Sequence, residues 1–242
     1  MLDAHCHIDM YPDPESVLLE CERLGIITIS MTNLPSHFEV GYRHFINQKK
    51  ARLALGFHPL LSDKYESEFD KFASYVNETS YIGEIGLDFS NEGIGSKEIQ
   101  LKYFYKIIEL ISTQKKIISL HSRKAEKEVL QILVEYKIQN AIFHWYTGSI
   151  KTLGLIVDHG YYFSVNNSMI LTNNGIKIIK SIPKERILTE TDGPYIKINN
   201  RLIKPWDVVE VYKYLANSWG WSMDEVIKLV KDNFSKLLLD IR

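Results

Sequence analysis

The chain has 242 residues, 45% of them hydrophobic, enough to bury a substantial core without being divided. Its 29 basic and 30 acidic residues leave a formal net charge of -1, which argues against a general electrostatic grip on nucleic acid, so any phosphate attraction has to be local to a site. Two cysteines, Cys6 and Cys21, make no disulfide framework; no apolar run approaches the roughly eighteen residues of a membrane helix, and the opening MLDAHCHID lacks the marks of a signal peptide, so a cytoplasmic setting without membrane association is expected.

Short β-like runs alternate with amphipathic helical stretches eight times. MLDAHCHID (1–9) reads as strand one, followed by a helix over 14–25 that stops at Gly25. Strand two is IITISMTN (26–33) with a helix over 37–50, and strand three is ARLALGFHPL (51–60) with a helix over 67–79. SYIGEIGLDF (80–89) is strand four, and its helix, 97–114, sets Ile99, Tyr103, Ile107, Leu110 and Ile111 on one side. KIISLHS (116–122) and the helix 124–137 make the fifth unit, 140–148 and 149–160 the sixth, 161–169 and 173–185 the seventh. RILTETDGPYI (186–196) is strand eight, with a helix over 205–220. A last helix, 222–240, starts on Ser222 with Glu225 completing an S-x-x-E capping box.

Repeated βα units with apolar strands predict a parallel sheet covered by helices. Eight of them predict an α/β chain folded as one (β/α)8 TIM barrel spanning 1–242, with a distorted barrel or a doubly wound sheet as the alternative and an additional C-terminal helix.

The ionisable residues His5, His7, Glu84, His121, His144 and Asp192 each fall where a predicted strand ends. In such barrels the strand C-termini share one rim, where active sites collect. His5 and His7 are two residues apart, the period of a strand, so both face the interior and can grip one ion, with Asp192 completing its shell. His121 and His144 can hold a second ion, and Glu84 can bridge the two. Two ions about 3.5–4 Å apart form the clamp used in phosphoester cleavage. Read one at a time, the motifs are weak: a structural histidine, a polar strand end, or an Asp-Gly turn explains each. Their joint placement on this scaffold points to a metal-dependent hydrolase. Imidazole-rich coordination suits Zn, Mn or Fe better than Mg.

These segments, in this order, resemble the TatD family of metal-dependent deoxyribonucleases within the amidohydrolase-like barrels. The motifs that carry the resemblance are HCHID (5–9), GFHP (56–59), GEIGLDF (83–89), LHSR (120–123), HWYTGS (144–149) and ETDGPY (190–195), and they span nearly the whole chain. The resemblance implies a phosphodiester hydrolase, a DNase acting at 3′ ends by means of a metal-activated water, with Mg also admissible. It implies His5, His7 and Asp192 at one metal, His121 and His144 at the other, and Glu84 between them. His58 would lie near the scissile phosphate, with Arg123 as a rim contact to substrate and Glu190 orienting ligands or water. Asp192 is the candidate proton acceptor, and His58, Arg123 and the metals offset charge on the phosphate oxygens. HWYTGS departs from the more familiar HCFSG form, and TISMTNLPSHF and YYFSVNNSM also diverge; these regions would shape the substrate groove. Divergent branches of the family are associated with antiphage defence systems, including the Qat type, which implies protein partners besides single-stranded DNA or 3′ ends.

Two other functions fit the same residues. One is amide or ester hydrolysis, although Glu84 stands where many such barrels place a modified lysine. The other is a partner-binding protein that keeps the metal barrel for architecture. His37, His44 and His159 read as surface or loop histidines. Trp145, Tyr146 and Tyr195 have two readings: stacking on bases, worth ~1–3 kcal/mol per base, or packing against loops. Lys124, Arg201 and Lys204 could meet phosphate near the rim, with a solvated cation as the commoner outcome. Asp88 reads as orienting a loop or ligand.

Overall fold

The computed structural model describes residues 1–198 and 200–241. Apolar runs form the strands β1 (Leu2–Cys6), β2 (Ile27–Ser30), β3 (Ala51–Leu53), β4 (Tyr81–Gly86), β5 (Ile117–His121), β6 (Ala141–His144), β7 (Tyr162–Val165) and β8 (Ile187–Thr189). All pair in parallel, in two arcs ordered β1-β2-β3 and β4-β5-β6-β7-β8. Backbone bonds outside the regular ladders join the arcs. On one side, Leu55 N–H donates to Tyr81 O (3.0 Å) and Gly83 N–H to Leu55 O (2.9 Å). On the other, Asp192 N–H donates to His5 O (2.9 Å) and His7 N–H to Gly193 O (2.7 Å). The last pair lies at the C-terminal rim, so barrel closure itself holds the ends of β1 and β8 together.

The helices are α1 (Pro14–Leu24), α2 (Pro35–Phe45), α3 (Glu68–Tyr75), α4 (Lys97–Ile111), α5 (Glu126–Glu135), α6 (Ile150–Asp158), α7 (Asn167–Ile170), α8 (Asn173–Ser181), α9 (Val209–Trp219) and α10 (Met223–Asp240). Their ends follow local chemistry. Asp13 caps α1 by accepting from Ser16 N–H, and Gly25 ends it at φ 66°, a left-handed value that glycine adopts without a Cβ penalty. The predicted capping box at Ser222 and Glu225 is formed on α10. Each helix buries one face; in α4 this is Gln100, Tyr103, Phe104, Ile107, Ile108 and Ile111, so Tyr103, Ile107 and Ile111 are buried as expected, while Ile99 and Leu110 lie at the half-buried edges of that face.

The barrel is filled rather than hollow. Ala4, Ile29, Tyr81, Ile117, Ile142 and Phe234 of α10 surround a void of only about 10 Å³. Next to Phe234, the fully buried Asn233 donates from Nδ2 to Lys184 O (2.8 Å) and Ile187 O (2.9 Å), tying α10 to the start of β8. Asn233→Leu would strip two carbonyls of their partner, so urea unfolding is expected to show a loss of roughly 2 kcal/mol or more. An unchanged midpoint would contradict this role.

Strand eight is shorter than its sequence suggested. It ends at Thr189 because Thr191 turns back onto β1, its N–H and hydroxyl both donating to the Asp3 carboxylate (2.9 and 2.6 Å), and Asp192 takes a left-handed φ of 51°. The segment after it also differs from expectation. Lys197–Ile198 and Arg201–Leu202 form a two-stranded antiparallel hairpin, β9 and β10, before the chain reaches α9.

Candidate metal centre and active site

The residues singled out at strand ends gather around Glu84, the four histidines directly and Asp192 through His5 and His7. Its Oε1 lies 2.6 Å from His121 Nδ1, 2.8 Å from His144 Nε2 and 3.5 Å from His58 Nε2. Its Oε2 lies 3.4 Å from His7 Nε2 and 3.6 Å from His5 Nε2. Asp192 Oδ1 is 3.6 Å from both His5 Nε2 and His7 Nε2. The placement follows from the strands. His5 faces inward from β1 and His7 follows one period later, while a register shift in β4 between Ile82 and Ile85 re-aims Glu84 into the mouth.

The grouping is more interleaved than two separate triads. Among the described residues, ring nitrogens and carboxylate oxygens close enough to share an ion form three sets: His5, His144 and Asp192; His5, His7 and Glu84; His58, Glu84 and His121. His5 and His144 stack face to face at 3.8 Å, so His144 sits beside the first histidine pair as well as beside His121.

A cation fits this donor set. His5 Nε2 and His7 Nε2 face each other at 3.2 Å while His5 Nδ1 is held by Ser119 Oγ at 2.7 Å. Two buried ring nitrogens, His7 Nδ1 and His144 Nδ1, have no hydrogen-bond partner. Imidazoles and carboxylates packed this tightly, away from water, are costly unless protons or a metal ion tie them together.

Electrostatics describe the same tension. Burial alone would raise the Glu84 pKa, but the facing His58 and His144 charges and the bonds from His121 and His144 hold it well below the usual carboxylate range. Burial pushes His5 well below the ordinary imidazole value and lowers His58. Against the same burial, Glu84 and its neighbouring carboxylates raise His7, His121 and His144. Burial lifts Asp192 to about 7, against the pull of His144 and His7. Protons thus occupy sites near neutrality that a cation needs. Mn²⁺ binding to the metal-free protein is expected to strengthen from about pH 6 to about pH 8 and to release protons, seen by calorimetry in buffers of different ionisation enthalpy. Affinity independent of pH over that window would contradict it.

A further shell holds these ligands. Asp88 Oδ2 lies 2.8 Å from His121 Nε2, and Asp88 is itself fixed by Ser90 N–H at Oδ1 and by Gln100 Oε1, which accepts from its N–H. Burial would raise Asp88, but its bonds to His121 and Ser90 hold it down to about 2. Glu190, buried, accepts from Ser164 Oγ, from Asn166 Nδ2 (2.9 Å) and from Trp145 N–H (3.1 Å), and lies 3.6 Å from His144 Nδ1. It therefore holds the turn after β6, where Trp145 takes φ 37°, and stands close beside His144 without a hydrogen bond to it. Asp3, Ser119 and Asn33 were not anticipated. Asp3 precedes His5, and Ser119 precedes His121, by two residues, so the strand period carried a signal for both; Asn33 follows β2 at the same rim.

Above the cluster opens a cavity of about 650 Å³, walled by His58, Leu60, Leu61, Trp145, Asn33 and Tyr195, with Arg123 and Glu92 also lining it. Arg123 is exposed and paired with Glu92 (3.2 Å). Tyr146 is fully buried against Phe163, so of the three aromatic candidates only Trp145 and Tyr195 line the cavity. Arg201 is engaged by Asp207 through two bonds (2.7 and 3.0 Å), and Lys204 lies over the Tyr11 ring. His37 is not a lone surface histidine: its Nδ1 is 3.3 Å from Asp9 Oδ2, which outweighs burial and raises its pKa.

Comparison with known proteins agrees with this geometry. Residues 2–239 match the family model described as TatD related DNase. The chain is 26% identical over 270 residues to the deoxyribonuclease TATDN3 of Homo sapiens, covering all of this chain and 96% of that protein. It is also 26% identical over 256 residues to the uncharacterized metal-dependent hydrolase YcfH of Escherichia coli K12, covering 98% and 95%. Among solved structures, the TatD homologue YJJV of Escherichia coli K12 superposes with a TM-score of 0.88 at 22% identity, over 98% of this chain and 97% of that one. Barrel, ligand cluster and a match running from β1 into α10 agree: the chain belongs to the TatD-related DNase family.

Proposed function

We propose that this protein hydrolyses phosphodiester bonds in DNA, removing nucleotides from 3′ ends of single strands, with two divalent ions (Zn, Mn or Mg) held around Glu84. The observation that carries this reading is the convergence of four imidazoles and two carboxylates, of which Glu84, His121, His144 and Asp192 line a cavity open to solvent. His5, His7 and Asp192 would hold one ion, His121 and His144 the other, and Glu84 both. Such ions, when bound, polarise a phosphoryl oxygen and lower the pKa of water.

The remaining steps belong to the chain. Asp192, whose carboxylate lies at the floor of the cavity beside His5 and His7, is placed to take the proton of an attacking water. Leu60 N–H donates to His58 Nδ1 (3.2 Å), so a neutral His58 carries its proton on Nε2, as a donor facing the cluster. That proton can bond a phosphate oxygen, the role expected of His58 near the scissile group. Arg123 supplies a cation at the rim, and release of Glu92 would free it for the strand beyond.

A cytoplasmic setting is supported by two free, buried cysteines, and no described helix is long and apolar enough to cross a membrane. A place among the partner proteins of an antiphage system rests on the sequence resemblance alone.

The test is a metal-supplemented assay on matched single- and double-stranded oligonucleotides, with His5→Ala/His7→Ala as control. A ladder shortened from the 3′ end of the single strand, absent in the control, is the expected product. Intact DNA alongside turnover of simple amides would overturn the reading in favour of amide hydrolysis.

A further inference from the structure

Tyr195 stands at the cavity wall in an unusual hydrogen-bonding state. It follows Asp192 by three residues, and its N–H donates back to Asp192 O (3.0 Å), so its backbone is fixed to a candidate ligand. Its ring meets His7 edge-on, with centroids 4.9 Å apart at 81°. At its tip, Asn33 Nδ2 donates to the phenol oxygen at 2.6 Å. With Asn33 Nδ2 as the donor, the tyrosine is the acceptor in that bond and its own O–H has no protein acceptor, while the buried Asn33 Oδ1 is likewise left without a partner.

Asn33 is suited to hold this group still. It is 8% exposed, and its main-chain oxygen accepts from His58 N–H (2.8 Å). One residue therefore ties the tip of Tyr195 to the segment that carries His58. Both side chains wall the same cavity, whose floor is Glu84, His121, His144 and Asp192. A hydroxyl donor on the wall of such a cavity, which His58 also lines, complements an anionic oxygen. The ring is 52% exposed, but one edge is committed to His7.

We propose that the Tyr195 hydroxyl binds a non-bridging phosphate oxygen of the substrate, and that Asn33 is its positioning residue. Tyr195 is then a phosphate donor rather than a stacking platform for bases. This inference rests on the phosphodiesterase reading above and adds to it a residue that reads the phosphate alone, independent of base identity.

The experiment compares wild type, Tyr195→Phe, Tyr195→Ala, Asn33→Ala and the double variant Asn33→Ala/Tyr195→Phe. Substrates are a single-stranded oligonucleotide and bis(p-nitrophenyl) phosphate, a phosphodiester with no nucleobase; metal content is measured throughout. Tyr195→Phe keeps the ring and removes only the hydroxyl. It is expected to lower kcat on both substrates on the order of 10²-fold with metal content unchanged. Asn33→Ala is expected to lose less, and the double variant to match Tyr195→Phe alone, because Asn33 acts through that hydroxyl. Additive losses would overturn the positioning role. Wild-type rates in Tyr195→Phe, with a loss in Tyr195→Ala confined to the oligonucleotide, would overturn the phosphate role in favour of stacking. A wild-type protein inactive on both substrates would remove the phosphodiesterase reading and this inference with it, whereas an active wild type with an unaffected Tyr195→Phe removes only the inference.

Discussion

Glu84→Gln is expected to bring activity down by ~10³-fold or more, and to lower metal affinity by at least about 10²-fold, while the barrel still folds. The size of the effect follows from the geometry. One carboxylate faces five imidazoles within 3.6 Å, two on His121 and His144 at hydrogen-bond distance. The amide has the same shape but half the acceptor capacity and no charge, so one ion would lose its Glu84 oxygen and the other would keep only a neutral, weaker ligand. In the metal-free protein the histidines also lose their common counter-charge, and His144, held well above its ordinary value by Glu84 after burial is overcome, should titrate lower. Circular dichroism, metal content and nuclease rate together check this outcome. A folded, fully metalated Glu84→Gln with wild-type turnover would mean that the carboxylate is not the hub.

Gly56→Ala is expected to have the largest effect on stability, about 3 kcal/mol or more, with activity lost in parallel. A Cβ at position 56 would stand 1.7 Å from Thr32 O, 2.6 Å from Glu84 N and 2.7 Å from Gly83 O. All three are backbone atoms, so no rotamer change can relieve the clash. Phe57 N–H donates to Glu84 O (3.0 Å) one residue later, so any shift of the chain here moves Glu84 as well. Gly95 is the matched control: a Cβ there meets nothing within 4 Å, and Gly95→Ala should change stability by no more than about 0.5 kcal/mol. Equal unfolding midpoints for the two variants would contradict the close approach of β2, β3 and β4 at Gly56.

The barrel was legible because its strands are short, apolar and separated by helices with a clear 3.6-residue period, and because turn and capping residues such as Gly25 and Ser222 mark the ends. The clustering of the strand-end residues was legible for a related reason: a charged or imidazole side chain at the end of an apolar run has no bland role once eight such ends share a rim. Less visible were features decided by long-range pairing. Thr191 bends toward Asp3, 188 residues away in sequence, and that contact shortens β8. The stacking of His144 on His5 likewise depends on how β6 and β1 face each other across the mouth, which no local pattern encodes. The hairpin at 197–202 was missed because its two-residue strands are too short for alternation to register. Asn33 carried no signal of its own, since an Asn after a strand is usually a turn residue.

The most direct measurement is crystallographic: anomalous scattering from crystals grown with Mn²⁺. Two peaks about 3.5–4 Å apart, both in contact with Glu84 and sharing His5, His7, His121, His144 and Asp192 between them, are the result expected here. An absence of peaks in this cavity, or ions bound elsewhere with Glu84 left to its histidines, would contradict it.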